Sequence, residues 1–438
     1  MARILPFQGI HYNLSKIGNY ANVATPPYDV IPEAQRNMFH ERHPNNVIRL
    51  ILGKPTDADT PQNNPHTRAA AFFREWLAKN ILLKSPEAAL YLTAVDFPFK
   101  GETVRRYGLT AKVALEPFEK KIILPHERTF SKVKSERLEL IKLCHANFSP
   151  IFSLYTDSEN ILNTLVAAAG NVSPEMDFID DAGHRHLMWR LTDPELHQSI
   201  TTVFHNKPLF IADGHHRYET ALNFRNWLKD TQPDFDTSHP ANFIMMSLSS
   251  ISDPGLVILP AHRILTAVPA EIRETFISTA ENYFDIISVP AGHEGRVELM
   301  SRLEPETAGN RFGVVIKNQP LYYLLTLKPG VMDRLFEDEL PPALRHLDVT
   351  VLTRLIFMEI LKFDQERLDN EKAIMYSSTE DGAFEAVEKA GQDICFILNP
   401  TKIKQVRQVS EQGLIMPRKS TYFYPKVITG QVMNDLKP

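Results

Sequence analysis

Pro208-Leu209-Phe210-Ile211-Ala212-Asp213-Gly214-His215-His216-Arg217-Tyr218-Glu219-Thr220-Ala221-Leu222 runs from an apolar stretch through an Asp-Gly pair into a helical pattern. Leu209–Ala212 reads as a short strand and Asp213-Gly214 as a tight turn. Tyr218, Ala221, Leu222 and Arg225 then share one side of a helix. Strand, turn and helix in that order aim the helix's unpaired N–H groups out of the sheet end. Those donors and the helix dipole favour an anion, and phosphate is the common occupant. His215, His216 and Arg217 place cations where the dipole opposes them, a conflict that an anionic ligand removes. Two other readings stand beside the phosphate site. One is a structural turn with solvated histidines and Arg217 paired to Glu219 or an acidic neighbour. The other is a metal site, but neighbouring helix positions diverge by about 100°, which disfavours joint chelation by His215 and His216. No metal is assigned.

Outward from this segment, helices and strands interleave. His66–Lys79 carries Ala69, Ala70, Phe73, Trp76 and Leu77 on one face, and Thr156–Glu159 resembles a capping box ahead of Ile161. Ala89–Phe97, Tyr107–Leu115 and His186–Leu191 read as strands, and Arg311–Lys317 with Leu321–Leu327 as a hairpin. Asp348–Phe363 is helical by periodicity, and the last hundred residues alternate strand and helix. The expected class is mixed α and β. The Pro- and Asp-rich stretch from Lys229 to Ala241 is a candidate boundary or insertion.

A second polar segment is Leu124-Pro125-His126-Glu127-Arg128-Thr129, followed by a helical pattern to Cys144. Pro125 forces an extended approach, and Glu127 stands between two cationic side chains that favour its ionised form. Read alone, such a segment is more often an ordinary charged loop. Pro26–Val30, Leu259–Arg263 and Met416–Lys426 are further polar clusters flanked by proline. GxGxxG, GxxxxGK[ST] and GxSxG are absent, and His40-Glu41-Arg42-His43 has one residue too few for HExxH.

Composition bounds the function. The 438 residues hold 31 prolines and 18 glycines, against averages of roughly 5% and 7%, which suggests shaped connections rather than flexible linkers. Lys and Arg number 48 and Asp and Glu 53, a net charge of −5. That argues against nucleic-acid binding by bulk electrostatics but permits a local basic site. Two cysteines without CxxC spacing point to a reducing, cytoplasmic setting. The first residues lack the apolar run of a signal peptide, and no apolar run is long enough to span a membrane.

TPPYDVI (25–31), PNNVIRL (44–50), LPHERT (124–129), ANFSPIFSLY (146–155), ADGHHRYETAL (212–222), DPGL with LPAHR (253–263) and MPRKSTYFYPK (416–426) resemble the DUF1015 family, in order over essentially the whole chain. DGHHR after a strand is also similar to the phosphate-binding turn of the ParB/sulfiredoxin-like superfamily, which includes free-serine kinases. In those kinases a P-H-E-type segment, a helix and a strand leading to DGHHR form the nucleotide core. Here about sixty residues intervene, more than that pattern expects. His215 stands where sulfiredoxins carry cysteine, which excludes sulfinic-acid repair. The acidic balance and His215 also argue against a ParB-like nucleic-acid protein.

The resemblance implies a ParB/sulfiredoxin-like nucleotide core at 120–265, with an N-terminal mixed segment at 1–119 and a C-terminal α/β domain at 266–438. It implies a kinase acting on a small hydroxyl-bearing metabolite, with L-serine the best single guess and ATP or ADP with Mg2+ as cofactors. Asp213, Gly214, His215, His216 and Arg217 are the expected nucleotide residues. Glu127 (as general base), Arg217 and His216 are the expected catalytic ones. Asp29, His126, Arg128, His262, Arg263 and Lys419 are the expected substrate contacts, and Asp213 would fix the turn or hold Mg2+ through water. The sequence leaves the oligomeric state open, with a homodimer one of the states to test. A nucleotide-sensing regulatory module and a phosphatase are the alternatives, and a membrane partner is not expected.

Overall fold

Lys100 and Gly101, both at positive φ (51° and 85°), join β1 (Leu90–Phe99) to β2 (Glu102–Ala114) in a two-residue hairpin, the connection whose twist matches that of paired strands. The computed structural model describes residues 2–129, 131–170, 172–303, 309–370 and 372–438, the side chains of 131–133 excepted. They form two units, Met1–Val257 with Pro425–Pro438, and Ile258–Tyr424.

In the first unit the hairpin is the middle of a nine-stranded sheet. Its other members are β3 (Ile123–Leu124), β4 (Ile151–Tyr155), β5 (Met176–Ile179), β6 (Arg185–Leu191), β7 (Leu209–Asp213) and β8 (Phe243–Ser250). The order is β3-β7-β4-β8-β2-β1-β6-β5, with Ile4–Leu5 against β2. β7 runs parallel to β3, and β8 parallel to β4; the other pairs are antiparallel. The class is therefore mixed α/β. Side chains alternate across each strand, so Leu90 and Leu92 enter one core with Ile244 and Met246, while Tyr91 and Met245 enter the other.

The helices follow their apolar stripes. α1 (Pro65–Ala78) starts at an Asn64 cap with Pro65 in its first turn and buries Ala69, Ala70, Phe73 and Trp76. α2 (Ser131–Cys144) follows β3. α3 (Ile161–Ala169) is capped from within the expected Thr156–Glu159 segment, by Asp157, which accepts from the N–H groups of Ile161 and Leu162 at 2.7 and 3.1 Å. α4 (His215–Thr231) buries Tyr218, Ala221, Phe224 and Leu228. Each large side chain on that stripe contributes about 1.5–3 kcal/mol by burial.

The second unit holds a six-stranded sheet of β9 (His262–Leu265), β10 (Phe284–Pro290), β11 (Arg311–Ile316), β12 (Leu321–Leu327), β13 (Ile374–Ser377) and β14 (Ile394–Ile397). Its order is β10-β12-β11-β14-β9-β13, antiparallel throughout. β11 and β12 form the expected hairpin. The helix expected over 348–363 begins as α-helix at Asp348–Thr350 and continues as π-helix over Val351–Ile360. Apolar periodicity marks a helix without fixing which carbonyl each N–H selects.

The chain divides differently from the three expected segments. Residues on both sides of 119/120 contribute strands to one sheet, and the last segment returns to that unit through Asn434–Asp435 paired with Ala146–Asn147. Lys229–Ala241 joins α4 to β8 inside the first unit, with Phe235 packed against Phe224, Leu228 and Ala241. It marks no boundary, because its apolar residues share a core with the elements that it connects.

Candidate functional site

β3 and β7 are parallel neighbours, Ile123 opposite Leu209 and Leu124 opposite Phe210. Their carboxyl ends therefore deliver Pro125–Thr129 and Asp213–Arg217 to the same place, the end of a sheet at which α/β proteins bind ligands. The sequence between α2 and β7 is occupied by β4, α3, the β5–β6 hairpin and the helix Pro194–Phe204. It does not separate Glu127 from the turn, because strand adjacency rather than chain distance sets their spacing.

Gly214 is the N-cap of α4 with φ +98° and offers no side chain to its first-turn N–H groups. A Cβ there would meet the Arg217 guanidinium at 2.9–3.0 Å. Both facts require glycine. Asp213 fixes the turn. Arg217 Nη2 donates to its Oδ2 at 2.5 Å, and the Lys426 ammonium pairs with Oδ1. Burial works against the charged form, but Lys426 and Arg217 hold the Asp213 carboxyl well below the usual carboxylate range. The same Arg217 donates through Nη1 to the Pro150 carbonyl, which ties the turn to the start of β4. Burial opposes the charge on Lys426 too, yet Asp213 and then Asp29 raise its pKa. Asp29, itself exposed, thus belongs to the electrostatics of this turn.

His215 is buried, and its Nε2 accepts from the backbone N–H of His126 at 3.3 Å. An accepting Nε2 puts the ring proton on Nδ1 in the neutral tautomer. Nδ1 lies 3.6 Å from Glu127 Oε2, beyond hydrogen-bond length but close enough to orient the carboxylate electrostatically. His126 packs edge-on against His215, ring centroids 4.8 Å apart. Burial, and next the neighbouring His126, push His215 well down, and burial pushes His126 down to about 4. Both rings are neutral at physiological pH. The dipole conflict expected for His215 is removed by deprotonation, with no ligand required.

Of the two acidic partners expected for Arg217, the neighbour Asp213 takes it and Glu219 does not. That carboxylate takes Thr129 at 2.8 Å and Lys134 at 2.6 Å, which closes the segment carrying Glu127 onto α4. His216 is half-buried in the first turn and Arg128 is exposed. His262, Arg263 and Lys419 belong to the second unit. His262 is buried and its Nδ1 accepts from the Leu398 N–H at 3.2 Å. Arg263 is buried, lies over the Tyr376 ring, and donates to the carbonyls of Ala261, Arg418 and Lys419. Lys419 is exposed at φ +55°. The work shown for His262 and Arg263 is internal to that unit.

Two openings flank the Asp213 turn. A cleft of about 520 Å³ on the Arg217 side is lined by Tyr28, Arg137, Asn147, Phe148, Ser149 and Thr220. A cavity of about 330 Å³ on the Lys426 side is lined by Arg106, His186, Ser247, Ser249 and Gln431. Arg137 stacks on the Tyr28 ring at 4.2 Å and donates to the Ile51 carbonyl at 2.7 Å. Lys426, Tyr28 and Arg137 escaped the sequence reading. Lys426 and Tyr28 lie inside segments already marked as polar and proline-flanked, and that was the available signal. Arg137 carries none, being one cation among several on α2.

Residues 4–350 match DUF1015, described as a protein family of unknown function, and the chain belongs to it. No curated protein matches the chain. Among solved structures it is similar to a free serine kinase variant in complex with ADP, at 13% identity and a TM-score of 0.37, covering 75% of this chain and 92% of that one. A conserved hypothetical protein from Pyrococcus furiosus aligns at 12% identity and a TM-score of 0.35, over 75% and 95%. SbnI with a C-terminal truncation, from Staphylococcus aureus, aligns at 12% and 0.33, over 74% and 86%. No helix among the described residues is long and apolar enough to cross a membrane.

Proposed function

We propose that the first unit is a nucleotide-dependent phosphotransferase acting on a small hydroxyl-bearing metabolite, with L-serine the first acceptor to test. One observation carries the reading: a carboxylate, Glu127, and a glycine-capped helix N-terminus meet at the carboxyl ends of adjacent parallel strands, 3.6 Å apart at His215. A glycine cap leaves first-turn donors without a side-chain acceptor from the cap, and Lys426 and Arg217 add two cations against the single charge of Asp213. This donor set fits a phosphate.

Phosphoryl transfer needs alignment, charge neutralisation and a group to take the hydroxyl proton. Gly214, His215 and His216 present the helix start to the nucleotide phosphates. Arg217, anchored on Asp213 and Pro150, stands at the turn with its charge fixed before ligand arrives. Glu127 accepts the proton of the acceptor hydroxyl as its oxygen bonds to phosphorus and the bridging P–O bond breaks. Neutral His215, with Nδ1–H toward Glu127, keeps that carboxylate in place without neutralising it. Mg2+, when bound, would shield the phosphate charge. Because Asp213 is taken by Lys426 and Arg217, Glu127 and Asp29 are the carboxylates that fit it.

Incubation with ATP or ADP, Mg2+ and a panel of hydroxy amino acids tests the reading, with phosphorylated product as the readout. Glu127→Gln is expected to keep nucleotide binding and lose transfer. Unchanged turnover in that variant removes Glu127 from the mechanism. Tight nucleotide binding with no acceptor turned over assigns the turn to a sensor instead.

A further inference from the structure

Asp180, His184 and His186 lie on the β5–β6 hairpin, outside the residues assigned to phosphoryl transfer. β6 pairs with β5 so that Arg185 faces Ile179 and His186 faces Phe178. The same register sets His184 across from Asp180. Positions two apart on a strand share a face, so all three side chains project from one side of the hairpin. That side is inward, since His184 and His186 are 6% and 3% exposed. Asp180 Oδ2 lies 2.9 Å from His186 Nε2 and 3.5 Å from His184 Nδ1, and the three donor atoms fall within 4.8 Å of one another.

We propose that this hairpin binds one divalent transition-metal ion of the zinc class through Asp180, His184 and His186. Metal–ligand distances near 2.0–2.2 Å in a tetrahedral site separate the donors by roughly 3.3 Å, and the separations of Asp180 from His186 and His184, 2.9 and 3.5 Å, bracket that value. Two imidazoles and one carboxylate favour zinc-like ions over Mg2+ or Ca2+, which prefer all-oxygen shells. The supports are rigid. Asp180 Oδ1 accepts from the N–H groups of Ala182 and His184 at 2.9 and 3.0 Å, which directs Oδ2 at the rings. Phe178 stacks on His186 at 5.1 Å and Phe97 meets His184 edge-on at 6.2 Å. Three protein ligands leave a position for water or a ligand. His186 lines the cavity of about 330 Å³ that reaches Lys426. Asp-x3-His-x-His across a hairpin turn has none of the adjacent-histidine or HExxH spacing that marks a metal site in sequence.

The test uses the full chain, dialysed against chelator and titrated with Zn2+ by calorimetry and with Co2+ by visible absorption. Saturable binding of one Zn2+ per chain, with the ligand-field bands of four-coordinate Co2+, is expected. His184→Ala with His186→Ala should abolish both signals, and Asp180→Asn should weaken Zn2+ at least ~10-fold. Circular dichroism checks the fold of each variant. If the double variant does not fold, His186→Gln replaces it and is expected to lose the Co2+ spectrum. Failure of the wild-type chain to bind saturably, or binding that folded variants retain, overturns the proposal. Phosphoryl transfer is not needed for any of these readings.

Discussion

Lys426 sets its ammonium against Oδ1 of Asp213, 213 positions earlier in the chain, while Arg217 holds the other carboxylate oxygen at 2.5 Å. One half-buried anion thus joins the end of β7, the first turn of α4 and the returning C-terminal segment. Removing one partner of a buried pair costs about 3–5 kcal/mol, because the other charge is left in low dielectric. Lys426→Met is expected to lower unfolding free energy by less than that, because Arg217 still holds the Asp213 carboxylate. Adding Asp213→Asn to it should recover part of the loss, since the carboxylate then left to Arg217 alone is gone. Denaturant melts of the two single variants and the double decide it; additive losses would show that the two residues do not act as a pair.

The buried histidines give stability a definite pH dependence. An unfolded histidine takes a proton near pH 6.5, while folded His126 does so only near 4. Between these values the unfolded chain holds more protons, so stability falls as pH is lowered through the window and is indifferent to this group above it. The full shift corresponds to about 3 kcal/mol. Unfolding free energies at about pH 7 and about pH 5 should differ less in His126→Gln than in the parent chain. An unchanged difference would mean that His126 protonates normally in the folded protein.

Gly214→Ala combines two penalties. Its φ of +98° is strained for any L side chain, and the new methyl would stand 2.9 Å from Arg217 Nη2. Gly101, at φ +85° with nothing within 4 Å of a Cβ, suffers only the first. Gly101→Ala is expected to cost about 1 kcal/mol of backbone strain. Gly214→Ala should cost more and should also weaken nucleotide binding, since Arg217 must leave its place between Asp213 and Pro150. Equal melting temperatures and unchanged nucleotide titrations for the two variants would refute the steric part.

Local signals carried most of what was legible. The strand, turn and helix around Asp213-Gly214 are local events, and Leu209–Asp213 and His215–Thr231 follow the pattern read from them. Pairing between distant segments is not local. Nothing in Ile123-Leu124 says that it lies beside Leu209, so the closeness of Glu127 and His215 came from resemblance rather than from periodicity. The partner of Asp213 was harder still. Met416–Lys426 offers three lysine or arginine candidates for a site, and only the return of 425–438 to the first unit selects Lys426. Likewise, the protonation of His215 depends on its burial and then on the neighbouring His126, which no sequence pattern states.

Arg263 separates a structural cation from a ligand contact. Its guanidinium is 3% exposed, lies 4.9 Å from the Tyr376 ring, and donates to the carbonyls of Lys419 at 2.9 Å and Arg418 at 3.3 Å as well as to Ala261. A forked donor serving several carbonyls is not replaced by the single ammonium of lysine. Each buried carbonyl left without its donor costs about 1–3 kcal/mol. Arg263→Lys is therefore expected to destabilise the second unit by about 2 kcal/mol, and Arg263→Met by more. If the role is structural, as these bonds indicate, both variants should keep the parent nucleotide affinity and acceptor KM at temperatures where they remain folded. Thermal melts and titrations on the same samples make the distinction. A raised KM in a variant with an unshifted melt would return Arg263 to the substrate contacts.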